Sequence, residues 1–237
     1  MNGKTKRGNV SRRNLLKLGT GAIGTGVLAA GLGSKFVFPE PAVAENATTP
    51  DKALQLLMQG NQRFVSGKGR NINQDIAGLR AVAKNQKPFA AILGCADSRV
   101  PSEIIFDRGF GDLFICRVAG NLATPEEIGS LEFGSLVLGA KVIMVMGHKR
   151  CGAVDATIKG ASVPGQIGSL LDAIKPAVES SKGKAGDRLL NATKANVLLQ
   201  VKNLKSSPVL SQLINSGKLK IVGGYFDLDT GAVTLVS

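Results

Sequence analysis

The sequence predicts a single α/β domain, with helices flanking a mostly parallel central sheet and a helical arm ahead of the first strand. Three observations carry that expectation. Residues 89–94 and 142–147 are unbroken apolar runs of strand length, and strands covered on both faces read this way, without polar alternation. Each run is followed at once by polar, chemically distinctive residues, where open α/β sheets place their ligands. The chain of 237 residues is long enough for one such domain with a sizeable core, while two would be crowded.

In chain order, residues 1–44 read as a leader. The stretch 11–17, with Arg12 and Arg13 between Ser11 and Leu15, resembles a twin-arginine export signal. A glycine-studded apolar run over 18–32 and the small-x-small site Ala42, Val43, Ala44 follow it, in the order expected of a removable leader. The apolar run is short of the roughly twenty residues that a membrane span needs. The expectation is that residues 1–44 are removed and that 45–237 form the domain. It would be exported by the twin-arginine route to the periplasm or an equivalent extracytoplasmic compartment. An uncleaved leader is the alternative, and the sole membrane contact expected.

Thr49, Pro50 and Asp51 combine a cap residue, a first-turn proline and an early acid, which starts a helix running to the break at 67–69. A second helix is expected over 73–85. After the strand at 89–94, residues 101–106 predict a short helix and 113–118 a second strand. Thr124 and Glu127 have capping-box spacing and open a helix over 124–138. That helix is too apolar around its circumference for a surface position, so it is expected against the sheet or at a subunit contact. The strand at 142–147 follows, then a loop over 160–165, helices over 167–180 and 185–204, and strands at 219–226 and 233–236 joined by the turn 229–231.

The chemistry-bearing residues are Cys95, Asp97 and Arg99 after the first apolar run, and His148 and Cys151 after the later one. Two thiolates and one imidazole form a ligand set that suits zinc, and three protein ligands leave a fourth position for exchange, a catalytic rather than a structural pattern. One zinc ion per chain is therefore expected on Cys95, His148 and Cys151. Cys116, the third cysteine, lies inside a strand candidate and reads as a small buried hydrophobe.

These motifs, C-x-D-S-R at 95–99 and H-x-x-C-G at 148–152, resemble those of the β-class carbonic anhydrases. The resemblance extends over 60–64, 86–88, 117–121 and 225–231 and covers nearly everything from residue 51 onward. It implies zinc-dependent reversible hydration of carbon dioxide to bicarbonate and a proton, with zinc-bound hydroxide as nucleophile. Asp97 and Arg99 would form a catalytic pair that leaves the fourth zinc position open, whereas Asp97 released from Arg99 would ligate zinc and close the site. The Gly152 amide would steady an anion, and Gln86 would reach the substrate pocket of a neighbouring subunit. A homodimer or higher homo-oligomer is implied, with the leading helices embracing the partner. Some members of the family have a second bicarbonate pocket that uses a Trp and a Tyr where this chain has Ile92 and Phe226, a departure that puts that regulation in doubt. Arg117 and Glu103, which belong to the same region, remain. Export of the folded protein also fits, because zinc can be loaded onto reduced thiolates before they meet an oxidising compartment.

Composition limits the other classes. The net charge of +13 is concentrated in the leader: residues 45–237 hold 23 basic against 16 acidic residues, leaving +7 without a dense basic block. Aromatic residues are only 4%, which disfavours a stacking platform for nucleic acid, and no nucleic-acid partner is expected. Two other classes remain in view, an exported metal-binding or sensing protein and a thiol redox protein joining Cys95 to Cys151. The second has no use for His148, Asp97 or Arg99, and neither cysteine lies in a C-x-x-C motif. The motifs leave carbon disulfide and carbonyl sulfide open as substrates.

Overall fold

A computed structural model describes residues 49–237. The proposed export signal and cleavage site fall outside the described residues. The first described helix, α1 (Pro50–Val65), starts as its sequence dictates: Thr49 accepts a hydrogen bond from the Lys52 amide and Pro50 occupies the first turn. It ends in a Schellman motif, with Gly67 at φ +66° and the Lys68 amide bonded to the Arg63 carbonyl at 2.9 Å. Helix α2 (Ile76–Val82) is shorter than the expected 73–85, because Asp75 caps it at one end and the chain becomes irregular after Ala83.

The strands β1 (Ala90–Gly94), β2 (Leu113–Arg117), β3 (Val142–His148), β4 (Lys220–Phe226) and β5 (Val233–Val236) form one sheet in the order β2-β1-β3-β4-β5. The first four are parallel and β5 pairs antiparallel with β4. Between β1 and β2 lies the short α3 (Ser102–Ile105). Between β2 and β3 lies α4 (Pro125–Glu132), which continues into a π-helical turn over Phe133–Val137. Four helices connect β3 to β4: α5 (Gly152–Ile158), α6 (Ile167–Ser180), α7 (Arg188–Lys205) and α8 (Pro208–Asn215).

Strand residues alternate between two cores because successive side chains point to opposite faces. Ile92, Met144 and Met146 pack with Leu57, Ile105 and Phe106 from α1 and the α3 segment. Leu93, Ile143 and Val145 pack with Leu131, Val197, Val201 and Leu204 on the other side. Leu57 is fully buried, and trimming such a side chain to Ala costs about 2–5 kcal/mol.

Two glycines set how closely the layers approach. A Cβ on Gly60 would fall 1.8 Å from the Phe106 carbonyl oxygen, and one on Gly147 would fall 2.6 Å from Val197. Beside Gly60, the buried Asn61 amide donates to the carbonyls of Ile105 and Gly231 and accepts from the Val233 amide. A single side chain on α1 thereby ties the α3 segment to the β4–β5 hairpin.

The helix expected at 124–138 is only half covered. Leu131 is fully buried, but Phe133 is 47% and Leu136 53% exposed. Thr124 caps it by backbone position alone, since its hydroxyl donates to the Glu127 carboxylate instead of accepting from a helix amide. Among the described residues, no helix is long and apolar enough to cross a membrane.

Candidate metal centre

The chain leaves β1 on one side to reach β2 and returns on the other to build β3. Ligands of open parallel sheets bind at such a reversal, outside the carboxyl ends of the strands. Cys95 follows the last residue of β1, His148 is the last residue of β3, and Cys151 is the N-cap of α5. Their ligand atoms all lie within 4.8 Å of one another, and all three side chains are buried.

The donor set fits a soft divalent cation in detail. His148 Nδ1 lies 3.0 Å from the Lys149 carbonyl oxygen, so it carries the proton and donates. Nε2 is left with its lone pair, buried and without a hydrogen-bond partner among the described residues. An imidazole oriented by one nitrogen and bare at the other is how a metal-binding histidine is held. Cys95 is pulled down to about 4, first by the hydrogen bond from Cys151 and then, against its burial, by His148 and the Gly120 amide. Cys151 is pushed up by the same bond and by burial, while the amides of Val154 and Ala153 at the start of α5 work the other way. The pair is thus arranged to hold thiolate character, and a cation completes what one shared proton does only in part.

Around the three donors the backbone is held tightly. The Gly120 amide donates to Cys95 Sγ at 3.3 Å. Gly120 is itself fixed from α7, where Asn196 donates to its carbonyl at 2.8 Å, Gln200 donates to Asn196, and the Ala123 amide donates to Gln200. Arg117 donates through Nε to the Cys95 carbonyl at 2.9 Å and through Nη2 to the Asp97 carbonyl at 2.5 Å. Ile92 and Phe226 are buried in the core.

Asp97 accepts two bonds at Oδ1 from the Arg99 backbone amide and Nε, both 2.9 Å, and a third at Oδ2 from Nη2 at 2.8 Å. That guanidinium holds the Asp97 carboxyl well below the usual carboxylate range. A cleft of about 540 Å³ is lined by Arg99 and Arg150 together with Phe64, Phe226 and Leu228. Gly152 lies at the first turn of α5, exposed, with open space where a Cβ would stand. Gln86 is exposed on the irregular segment leading into β1, and among the described residues no hydrogen bond joins it to the centre.

Sequence reasoning did not find Gly120, Asn196 or Gln200. Polar residues at 193, 196 and 200, three to four apart on the buried side of α7, were the available signal.

The family model described as carbonic anhydrase matches residues 90–233. Carbonic anhydrase 2 of Mycobacterium tuberculosis is 37% identical over 193 residues, covering 79% of this chain and 93% of its own. The chain belongs to the carbonic anhydrase family. Solved structures of β-class members share the fold. One from Coccomyxa, in complex with acetazolamide, is 26% identical with a TM-score of 0.61, over 77% of this chain and 86% of its own. The tetrameric enzymes of Sordaria macrospora match with a TM-score of 0.64 at 22% identity, over 78% of this chain and 96% of theirs. β-class carbonic anhydrases use zinc, and the Cys95–His148–Cys151 group is a cluster that could bind it.

Proposed function

We propose that this chain catalyses the reversible hydration of carbon dioxide to bicarbonate and a proton, with zinc held by Cys95, His148 and Cys151. One observation carries the reading: a buried Cys–His–Cys group with a bare imidazole nitrogen, set beside a carboxylate held by its own arginine. Zinc supplies Lewis acidity and acidifies water, the effect for which carbonic anhydrase itself is the standard example. Two thiolates weaken that acidity by donating charge. The chain offsets this with the Gly120 amide on Cys95, the α5 amides on Cys151 and the nearby Arg99 and Arg117.

Asp97, turned toward the centre and charged, accepts a hydrogen bond from a proton-bearing group at the reacting position, and Arg99 would keep it from swinging onto a bound metal. The Gly152 amide steadies the anionic product. Gln86, exposed and with no hydrogen bond to the site among the described residues, serves the pocket of a neighbouring subunit in a homo-oligomer. The exposed Phe133 and Leu136 and the leading helices α1 and α2 supply apolar surface for that association. A monomer mass from light scattering on the active protein would contradict the shared pocket.

Residues 1–44 act as a twin-arginine leader that is removed, placing 45–237 in the periplasm or its equivalent. N-terminal sequencing of the exported protein tests that step. The function itself is tested by a carbon dioxide hydration assay run beside carbon disulfide and carbonyl sulfide. Hydration of carbon dioxide alone is the expected result.

A further inference from the structure

The two residues between the later ligands, Lys149 and Arg150, face two ways at once. Their carbonyls point into the centre: Lys149 O accepts from His148 Nδ1, and Arg150 O accepts from Arg99 Nη2 at 3.3 Å. Their side chains point outward to the acids of the β4–β5 hairpin. Lys149 Nζ lies 3.1 Å from Asp227 and 2.7 Å from Asp229, while Arg150 grips Asp229 with both terminal nitrogens. Asp229 is held in turn, its amide donating to Asp227 Oδ1 at 2.7 Å, and the hairpin is closed by the Gly231 amide on the Asp227 carbonyl.

Arg150 has φ +56°, a left-handed conformation that a residue with a side chain adopts only when its surroundings impose it. That conformation aims its carbonyl at Arg99. The bidentate clamp on Asp229 is the constraint in view, because a planar guanidinium on a carboxylate fixes direction as well as distance.

Resting on the function proposed above, we infer that Asp229 is a positioning residue for the Asp97–Arg99 pair, acting through the side chain and carbonyl of Arg150. Arg99 then has two anchors, the Asp97 carboxylate and the Arg150 carbonyl. Losing the second lets its guanidinium rotate away and frees Asp97 to move. Both Asp229 and Arg150 are about half exposed, so their ion pair contributes little to global stability. The effect is local and geometric, where small misplacements of a reacting group are costly.

The test is a double-mutant cycle on the zinc-loaded enzyme, with Asp229→Ala, Arg99→Ala and the double variant, and Asp229→Glu as rescue. Asp229→Ala is expected to lower kcat/KM for hydration about tenfold with one zinc per chain and an unchanged Tm. Asp229→Glu should restore most of the loss. In the Arg99→Ala background, Asp229→Ala should change kcat/KM less than twofold. A crystal structure of the Asp229→Ala holoenzyme should show Arg99 Nη2 out of hydrogen-bonding range of the Arg150 carbonyl. An unchanged kcat/KM, the same tenfold loss without Arg99, or loss of zinc in Asp229→Ala overturns the inference. A wild-type protein that does not hydrate carbon dioxide would instead count against the proposed function, and the crystal structure would still decide the link from Asp229 to Arg99.

Discussion

Asp97 Oδ2 stands 3.9 Å from Nε2 of His148, while Arg99 holds the same carboxylate oxygen at 2.8 Å. The carboxylate therefore faces the Cys95–His148–Cys151 group while bound to Arg99. Asp97→Asn and Arg99→Ala are expected to keep zinc and to lower kcat/KM by on the order of a hundredfold, as for loss of a group aimed at the reacting centre. Hydration rates near wild type in either variant would return the pair to a structural role.

The ligands behave differently from the pair beside them. Replacing Cys151 by Ala removes a donor that is 1% exposed and seated at the start of α5. Most zinc should be lost and Tm should fall, since metal binding and folding are linked. Metal analysis that finds one tightly held zinc in Cys151→Ala would refute the ligand assignment.

Acid sensitivity should come partly from Asp107, which is 3% exposed and ion-paired to Arg63. Burial pushes its carboxyl up, but Arg63 and the amides of Asn71 and Arg70 outweigh that and hold it below its ordinary value. A folded value below the unfolded one, about 3.9, means the stabilisation is complete above that pH and is lost as pH falls through the folded value. Asp107→Ala should cost about 3 kcal/mol at pH 7. Its Tm deficit against wild type should shrink as the pH is lowered below about 4, and a deficit that stays constant in thermal melts would contradict the account.

Each hydration turnover releases a proton, and His148, the single histidine of the chain, is the imidazole proposed to hold zinc. Tyr225 is pushed up by burial, Cys116 is pushed up to about 11, and Asp97 is held low by Arg99. None of these exchanges protons well near pH 7. Turnover at saturating carbon dioxide should therefore rise with the concentration of an imidazole-type buffer at constant ionic strength, while the rate at low substrate barely changes. A turnover number that stays flat across a wide buffer range would point to an internal proton route.

The sheet was legible because its central strands are buried on both faces, so Val142 through Met146 had to be continuously apolar. The Cys95–His148–Cys151 cluster was legible because metal chemistry restricts donors to a few residue types. Two helices escaped. Helix α5 has seven residues and starts at a glycine, and α8 has eight, opened by the Ser207–Pro208 cap signal, so each is too short for periodicity to register. The groups that steady the centre were mostly hidden for another reason. The Gly120 amide and the Arg150 carbonyl are backbone atoms, which every residue carries, and only the fold shows where they point. Exposure of Phe133 and Leu136 was likewise unreadable, since an apolar circumference does not say which face the sheet covers.

The most direct test of the central claim is stopped-flow carbon dioxide hydration by the purified protein, with zinc content measured on the same sample. The account predicts hydration far above the buffer rate, in proportion to zinc occupancy, abolished by chelation and restored by zinc. Protein carrying one zinc per chain on Cys95, His148 and Cys151 that hydrates carbon dioxide no faster than buffer alone would contradict it.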